Sequence, residues 1–495
     1  MHIGLDVGTS GTKACAFDEK GQLFAGAACD YDFSDTREGR REIRPESFSA
    51  AVLNTLAEVA GKLKAGGHPM PRSVTVSSLG EAVVPLDAQF KPLYNFIVGT
   101  DRRGEEESHA AGLLLGNQQI AHTAGVPTGG LYSYGKIAWL REHEPEIFFK
   151  AKLWLNVQDY VIKLLSGRAL MDTSIASRTM MYDITENRWW KPILKTLDLS
   201  EDRLPCVCQA GTVADTLLQD IARRTGLPSS TLVVAGAHDH ITNAVGCGVL
   251  QPGWSANATG TTEGITAVMN QRMNPEDIIR CNISCEPFVL LGQYCTVAWH
   301  NAAGVLLKWY SREFGRASDG DFSGMDTKCP PGPTRLLVLP HFSGGGTPDF
   351  DAASKGVIVG LTLGTTRYDL FKALMEGATY ELRRILEAMR TCGLRADELV
   401  VCGGGANSPV WLQLKSDILN KEVRVPTRAH NGALGNSILG AVACGDFDNI
   451  FEAAEAMAGN RPAACPNPEN ARIYAELAEQ YNQLYPALFR VNHQL

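Results

Sequence analysis

The chain has 495 residues, a formal net charge of −8, hydrophobic residues at 44% of its positions and charged residues at 20%. This is the composition of a globular enzyme and excludes a long disordered chain, while the acidic balance argues against a nucleic-acid partner, which requires a basic surface. A chain of this length is too long for one hydrophobic core, so two large domains are predicted.

The first half is predicted to open with a β-meander. Apolar alternation predicts strands over 3–7 and 12–17, separated by a turn of glycine, threonine and serine over 8–11. A third strand is predicted over 22–29, a helix over 45–64 that ends at two glycines, and a further strand over 73–77. This half therefore mixes hairpins with β–α units.

A second start is predicted near residue 250. A strand over 232–235 and a short helix over 241–249 precede strands over 254–258 and 265–269, which are joined by Gly260-Thr261-Thr262. The strand, Gly-Thr-Ser/Thr turn and strand of the N-terminus thus recur about half a chain length later. This repeat predicts two related halves, and we place the domains at 1–248 and 249–495.

The first candidate phosphate site is the segment from Asp6 to Lys13. The chain lacks the P-loop pattern G-x-x-x-x-G-K-[ST], so another segment must hold phosphate. Small residues here let backbone N–H groups approach phosphate oxygens, with hydroxyls from Thr9 and Ser10 and positive charge from Lys13. Asp6 ends a buried strand and can hold Mg²⁺. An ordinary hairpin turn is the alternative, and the segment alone does not separate the two interpretations.

Two further glycine-rich turns are candidates for the nucleotide side. Gly260-Thr261 is a weak signal alone, but paired with the first turn it suggests two phosphate hairpins facing each other across a cleft. The strand over 400–402 runs into three glycines, including Gly404 and Gly405, and then into Asn407 and a helix over 409–419. Glycines at such a junction let a flat base lie against backbone. Plain turns are the alternative for both.

Asp239 is the candidate general base. It follows a predicted strand and opens a helix, between His238 and His240, and a carboxylate there can take the proton of a substrate hydroxyl. Aspartate is also a favoured helix N-cap, and the position alone favours the cap. The two roles are compatible, because a helix N-terminus keeps a carboxylate ionised. His240 is a candidate substrate contact.

Polar residues at two strand ends are candidate sugar ligands. Gly80-Glu81 follows the strand over 73–77, and Asp101-Arg102 follows an apolar stretch over 96–99. The carboxyl ends of strands in open α/β sheets often face a ligand. Solvated loop charges are the alternative.

The remaining features argue against a membrane or secreted protein. No run of 18 apolar residues occurs, and the N-terminus lacks a signal peptide, which predicts a cytoplasmic chain. The 13 cysteines are scattered and odd in number, which favours free thiols over disulfides or zinc.

Taken in order, these segments resemble the FGGY carbohydrate kinases, the family of glycerol kinase, xylulokinase and gluconokinase. The resemblance runs from Gly4 to about Gly445. Its most specific part is the segment 356–361 followed, after seven residues, by 369–376, preceded by the loop over 339–348. The segment 133–145 fits the N-terminal signature more loosely, since Leu131 stands where a smaller or aromatic residue is usual.

The resemblance implies an α/β fold of the actin/hexokinase/Hsp70 type, with two ribonuclease H-like domains around a central cleft. It also implies ATP and Mg²⁺ as cofactors. The roles it implies are Mg²⁺ binding by Asp6 and general base by Asp239; phosphate or nucleotide binding by Thr9, Ser10, Lys13, Gly260, Thr261, Gly304, Gly404, Gly405 and Asn407; and sugar binding by Gly80, Glu81, Asp101, Arg102 and His240.

Three departures leave the substrate open. The residue after Asp239 is histidine where glycerol kinases have glutamine, Gly80-Glu81 lacks both the preceding arginine of glycerol kinases and the Met-His-Gly of xylulokinases, and 434–437 reads Leu-Gly-Asn-Ser where the family usually has Gly-Ala-Ala. A pentulose, as in xylulokinases, is our prediction for the acceptor, with glycerol, gluconate or another polyol as alternatives. The sequence leaves open which hydroxyl is phosphorylated and how the chain is regulated, and it is compatible with a homodimer.

Two hypotheses from other classes compete with a sugar kinase. One is an actin-like or Hsp70-like ATPase, which needs both phosphate hairpins but no sugar pocket; Glu81, Asp101, Arg102 and Asp239 together argue against it. The other is a sugar-binding regulator that has lost catalysis, and the presence of both Asp6 and Asp239 argues against that.

Overall fold

A computed structural model describes residues 1–36, 39–315 and 322–495. In the first half the strands are β1 (His2–Val7), β2 (Gly11–Phe17), β3 (Leu23–Asp30), β4 (Glu42–Ile43), β5 (Ser73–Ser78), β6 (Val83–Leu86), β7 (Phe96–Ile97), β8 (Leu153–Asn156), β9 (Leu170–Asp172), β10 (Tyr182–Asp183), β11 (Arg188–Trp189), β12 (Cys206–Cys208), β13 (Val213–Thr216) and β14 (Leu232–His238). The helices there are α1 (Pro45–Ala65), α2 (Glu105–Leu115), α3 (Asn117–Ala124), α4 (Ser133–His143), α5 (Pro145–Lys150), α6 (Val157–Ser166), α7 (Thr173–Ser177), α8 (Lys191–Thr196), α9 (Gln219–Thr225) and α10 (Asp239–Gly246).

The second half continues with strands and helices in a similar alternation. Its strands are β15 (Gly253–Thr259), β16 (Glu263–Met269), β17 (Glu286–Pro287), β18 (Tyr294–His300), β19 (Leu337–Leu339), β20 (Val357–Val359), β21 (Ala396–Cys402), β22 (Val423–Pro426) and β23 (Asn460–Ala464). Its helices are α11 (Pro275–Cys281), α12 (Gly304–Phe314), α13 (Phe322–Asp326), α14 (Arg367–Thr391), α15 (Pro409–Leu419), α16 (Asn431–Ala443), α17 (Ile450–Met457) and α18 (Pro468–Gln494).

Each half contains one large mixed sheet, and the two sheets have matching strand orders. The first runs β13-β14-β5-β1-β2-β3, and the second runs β23-β22-β21-β15-β16-β18 before adding β17. In both, the opening hairpin is antiparallel and its first strand pairs in parallel with a later strand, β5 or β21. The repeat of strand, turn and strand predicted from the sequence is therefore confirmed as two topologically equivalent hairpins.

The helix predicted over 45–64 is α1, and its pattern explains its place on the first sheet. Pro45 stands at the first helical position and Gly66 follows the last turn, as start and stop signals require. Its buried positions recur every three or four residues, so one face packs on the first sheet, mainly on β2 and β3.

Helix α16 belongs to the second half in sequence but packs against the first sheet, on β1, and along α10. Its glycines permit this approach. A Cβ on Gly435 would lie 1.8 Å from the carbonyl oxygen of Thr242, and one on Gly4 would lie 1.8 Å from that of Ala433. The two halves are thus joined by a close crossing of α10 and α16, and the domain boundary at 248/249 stays a prediction.

Two exclusions made from the sequence can be compared with the fold. Within the described residues, no helix has the length and apolarity needed to cross a membrane. All 13 cysteines lie in the described ranges and are free thiols, as their scattered positions predicted.

Candidate active site

A cleft of about 840 Å³ gathers residues from three separate sequence motifs. Asp6 comes from β1, Lys13 from the paired strand β2, Asp239 and His240 from the start of α10, and Gly404 and Asn407 from the turn before α15; all of them line the cleft. These elements meet because β1 and β14 both pair with β5, in parallel, so that their carboxyl ends lie at the same edge of the sheet.

Asp6 faces the cleft as a half-buried carboxylate. The hydroxyl of Ser77 donates a hydrogen bond of 2.8 Å to its Oδ1. Burial raises the pKa of Asp6 to about 6, and the negative charge of Asp239 adds to the rise. The Asp6 carboxylate offers the oxygen ligands that Mg²⁺ prefers, and its chemistry therefore fits this ion.

Asp239 lies at a direct junction of strand and helix. Strand β14 extends to His238 and α10 begins at Asp239, so that His238 holds the N-cap position. The Asp239 carboxylate accepts a hydrogen bond of 2.7 Å from the adjacent N–H of His240, whereas a capping side chain bonds the N–H two or three residues on. The N-cap interpretation of Asp239 is therefore wrong, because the strand runs three residues further than its apolar pattern predicts.

A buried chain of charged groups leads from Asp239 toward the predicted sugar ligands. His238 Nε2 lies 3.4 Å from the Asp239 carboxylate, and its Nδ1 lies 3.0 Å from that of Glu286. Arg178, directly after α7, bonds Glu286 at 2.8 Å with one terminal nitrogen and Glu81 with the other. Burial would raise the pKa of Glu286, but the charges of Arg178 and His238 lower it to about 2. Both halves of the chain thus surround the predicted base.

Gly80 and Glu81 adjoin this chain of charges. A Cβ on Gly80 would lie 3.1 Å from Arg178 Nε and 3.3 Å from His238 Nε2, so glycine leaves a small space on which two nitrogen atoms converge. Arg178 is 3% exposed, and its Nε has no hydrogen-bond partner among the described residues. Roles for Gly80 and Glu81 in sugar binding stay predictions.

Asp101 and Arg102 have different surroundings. Asp101 is buried, and its oxygens accept hydrogen bonds from the Arg103 side chain at 2.6 and 2.9 Å and from the Arg41 N–H at 2.6 Å. Arg103 also forms an ion pair with Glu42 at 2.7 Å. Arg102 is exposed and lies against Gly39. Roles for Asp101 and Arg102 in sugar binding stay predictions.

The two predicted phosphate hairpins have similar local bonding. The Gly8 N–H donates to the Gly11 carbonyl at 3.0 Å, which leaves Thr9 and Ser10 exposed in the turn, outside the lining of the cleft. In the second hairpin the Gly260 N–H donates to the Thr262 carbonyl at 2.9 Å. The turns therefore present hydroxyls and small residues, as a phosphate site requires.

A second cavity of about 780 Å³ adjoins the cleft at Gly404 and Asn407. It is lined by Gly260, Thr261, Gly304, Gly405, Lys308 and Trp411, among others. An added Cβ on Gly404 would meet nothing within 4 Å, whereas one on Gly304 would lie 2.5 Å from the Gly260 carbonyl. Gly404 thus exposes backbone to the cavity, and Gly304 allows α12 to begin against the second hairpin.

Several polar residues of this site were missed from the sequence. Arg103 had a signal, since an Asp-x-Arg spacing lets the arginine fold back on the aspartate. Arg178 and Glu286 had none, because they are distant in sequence and meet only through the packing of α7 against β17. The same holds for Lys308 and Trp411 in the second cavity.

Comparison with known proteins identifies two family domains. Residues 1–246 match the N-terminal domain, and residues 255–444 the C-terminal domain, of the FGGY family of carbohydrate kinases. The chain is 26% identical to a xylulose kinase of Lactococcus lactis, over 100% of this chain and 98% of that protein. It is 27% identical to a gluconokinase of Bacillus subtilis, over 96% and 93% respectively.

A solved structure supports the same fold. The ligand-bound xylulose kinase of Lactobacillus acidophilus superposes with a TM-score of 0.88 at 24% identity, covering 98% of each chain. The fold is accordingly the α/β fold of the actin/hexokinase type that the resemblance implied.

Proposed function

Since this chain belongs to the FGGY family of carbohydrate kinases and is therefore a sugar phosphotransferase with ATP as co-substrate, we propose that it phosphorylates a hydroxyl of a pentulose, as a xylulose kinase does. The observation that carries the proposal is the pair of carboxylates, Asp6 and Asp239, that face one cleft beside a second cavity lined by Gly260 and Gly404.

The two cavities suggest how the substrates divide the site. We assign the base and ribose of ATP to the second cavity, where Gly404 exposes its backbone and Trp411 adds apolar surface. The phosphates then extend past Thr261 toward Lys13 and Asp6. Asp6 would hold Mg²⁺, which when bound neutralises phosphate charge. Because ATP is kept in the cytoplasm, we propose that compartment for the reaction.

Asp239 is assigned as the general base. Its side chain is 27% exposed to the cleft, so that an acceptor hydroxyl can reach it, and an ionised carboxylate can take the proton as the phosphoryl group is transferred. His238, held by Glu286, fixes the position of this carboxylate from the buried side.

The charges around Gly80 favour a neutral acceptor over an aldonate. Arg178 is the cation beside this space, and its terminal nitrogens are already shared between Glu81 and Glu286. Asp239 adds a third carboxylate on the other side of His238. The carboxylate of gluconate would add a further negative charge beside Glu81 and Glu286, and this would cost binding energy. The hydroxyl and ketone groups of a pentulose are uncharged, so their binding does not carry this cost.

The test measures the rate of ADP release from Mg-ATP in the presence of each of a panel of acceptor sugars and polyols. We expect the highest kcat/KM with a neutral pentulose such as D-xylulose or D-ribulose, less with glycerol and least with gluconate, and acceptor-dependent ADP release at least about 100-fold slower in Asp239→Asn. Preference for gluconate over every neutral acceptor would refute the charge argument. Equal ADP release with and without every sugar would refute the sugar kinase and favour an ATPase.

A further inference from the structure

Three consecutive residues at the edge of the cleft converge on one point. One ligand atom from each of His238, Asp239 and His240 lies within 4.8 Å of the others. The Asp239 Oδ1 is 3.4 Å from His238 Nε2 and 4.0 Å from His240 Nε2. Ligands of a tetrahedral zinc ion with bonds of about 2.0–2.1 Å are separated by roughly 3.3 Å, so small rotations of His240 complete the geometry.

A buried carboxylate behind His238 is the second observation. Glu286 is fully buried and lies 3.0 Å from His238 Nδ1, and it is itself held by Arg178 and by the Ser284 hydroxyl at 2.7 Å. An ionised carboxylate only accepts hydrogen bonds, so Glu286 accepts the Nδ1–H of His238 at 3.0 Å, and Nε2 is the nitrogen that faces Asp239 and would bind an ion. Metal-binding histidines commonly donate their other ring N–H to a carboxylate, a backbone carbonyl or water, which fixes their tautomer and orientation.

A second cluster in the fold lacks these features and serves as a comparison. Glu107, Glu142 and His143 also bring three ligand atoms within 4.8 Å, but Glu142 and His143 are exposed. His143 Nδ1 contacts the Trp139 carbonyl of its own helix at 3.1 Å and lies 3.8 Å from the partly exposed carboxylate of Glu107. Solvated acidic residues of this kind do not form a site by themselves.

We propose that His238, Asp239 and His240 form a binding site for a divalent transition-metal ion of the Zn²⁺, Co²⁺ or Ni²⁺ class, separate in chemistry from the Mg²⁺ that accompanies ATP. Two imidazoles and one carboxylate suit these ions, whereas Mg²⁺ prefers oxygen ligands only. An ion bound there occupies the carboxylate assigned as general base. Such an ion should therefore inhibit phosphoryl transfer, and this second claim rests on the proposed function.

The binding test uses Co²⁺ and Zn²⁺ as probes, with the full chain in saturating Mg²⁺. We expect one equivalent of Co²⁺ to give visible d–d absorption without the intense thiolate charge-transfer band of a cysteine site, and Zn²⁺ to displace it. Calorimetry with Zn²⁺ should show affinity reduced at least about tenfold in His240→Gln and in Glu286→Gln. His143→Gln, the matched control on the surface cluster, should bind as the parent does.

The outcomes separate the two claims. Equal Zn²⁺ affinity of the parent and His240→Gln, a half-exposed position where folding is not at risk, would overturn the site, as would a thiolate band from the bound Co²⁺. Metal binding does not depend on turnover, so the binding measurements test the site even if no sugar is phosphorylated. With an active acceptor, Zn²⁺ should inhibit over the same concentration range in which it binds, and His240→Gln should shift both ranges together. If the Zn²⁺ concentration that inhibits is the same in His240→Gln as in the parent, the claim of inhibition through this site is overturned.

Discussion

At the scale of single residues, the chemistry rests on two carboxylates in unlike surroundings. Asp6 lies on a buried strand and accepts a hydrogen bond from Ser77, whereas Asp239 begins a helix and faces two histidines. The first suits a cation and the second a proton, which leads to a separate prediction for each.

Asp239→Asn should slow turnover by at least about 100-fold, because an amide cannot accept the proton of the acceptor hydroxyl. The side chain keeps its size and its contact with the His240 N–H, so Tm should stay within a few degrees of the parent and both substrates should still bind. The measurements are kcat, Tm and binding of ATP and sugar. A well-folded variant with near-parental kcat would remove Asp239 from the role of base.

The Mg²⁺ requirement should depend on pH through Asp6. Its pKa in the metal-free protein is raised to about 6 by burial and by Asp239. Above that pH the carboxylate is ionised and ready for the ion; below it a proton must leave first. The Mg²⁺ concentration for half-maximal activity should therefore rise as pH falls below 6. Ser77→Ala removes a hydrogen bond that lowers this pKa, and should move the rise to higher pH. A requirement unchanged by pH would contradict the assignment.

At the scale of elements, glycines set how closely helices and strands approach. Gly435→Ala should destabilise the protein by about 1–3 kcal/mol, because its methyl group would overlap the Thr242 carbonyl where α16 crosses α10. Gly61→Ala is the matched control. It lies in helix α1 with nothing within 4 Å of the added methyl, and should stabilise by about 0.5–1 kcal/mol. Urea unfolding of both variants measures the difference; equal effects would contradict the close crossing.

A buried ion pair fixes the second phosphate hairpin to α15. Glu263 begins β16 and pairs with Lys415, both fully buried, while Thr259 bonds the same carboxylate at 2.8 Å. Burial would raise the pKa of Glu263, but Lys415 and His300 lower it to about 2. Lys415→Met should cost about 3–5 kcal/mol, because it removes the lysine cation from a fully buried carboxylate and leaves only His300 and Thr259 beside it.

The matched control for this pair is the double variant Lys415→Met with Glu263→Gln. Removing both charges should recover part of the lost stability, since an amide costs less to bury than an unpaired carboxylate. Chemical denaturation gives the free energies of unfolding. A double variant as unstable as the sum of the two single variants would show that the pair is not coupled.

The most family-specific segment of the sequence has a structural role in the fold. Asp369 closes the capping box of α14 with Thr366, and Glu376 accepts hydrogen bonds from the Thr334 N–H at 3.2 Å and the Tyr474 hydroxyl at 2.7 Å. The side chain of Lys372 bonds the carbonyl of Pro330 at 2.8 Å. A motif that identifies the family thus anchors helices at a distance from the cleft, and does not itself identify the substrate.

At the scale of the whole molecule, the two sheets and the crossing of α10 with α16 suggest closure around the substrates. Transfer to water is avoided only if the cleft excludes it. Small-angle scattering should give a smaller radius of gyration with both sugar and a nonhydrolysable ATP analogue than with neither. The same radius in both states, with saturation shown by calorimetry, would count against closure.

The sequence alone determined the hairpins, the helices and the residues at their ends. Asp6, Asp239, Gly260 and Gly404 were identified because periodicity and turn chemistry are local properties, readable over a few residues. The repeat of the opening pattern also gave the internal duplication. Helix α15 was predicted with its observed bounds, since Pro409 marks its start and the glycines of the preceding turn separate it from β21.

Only the tertiary structure decided what surrounds these residues. Parallel pairing of β14 with β5 extends the strand to His238 and makes Asp239 the first residue of a helix instead of its cap. Arg178 and Glu286 enter the site because sheet order and helix packing bring distant segments together. A polar side chain in a loop has the same local pattern whether it ends buried against another charge or in solvent, and long-range packing makes that choice.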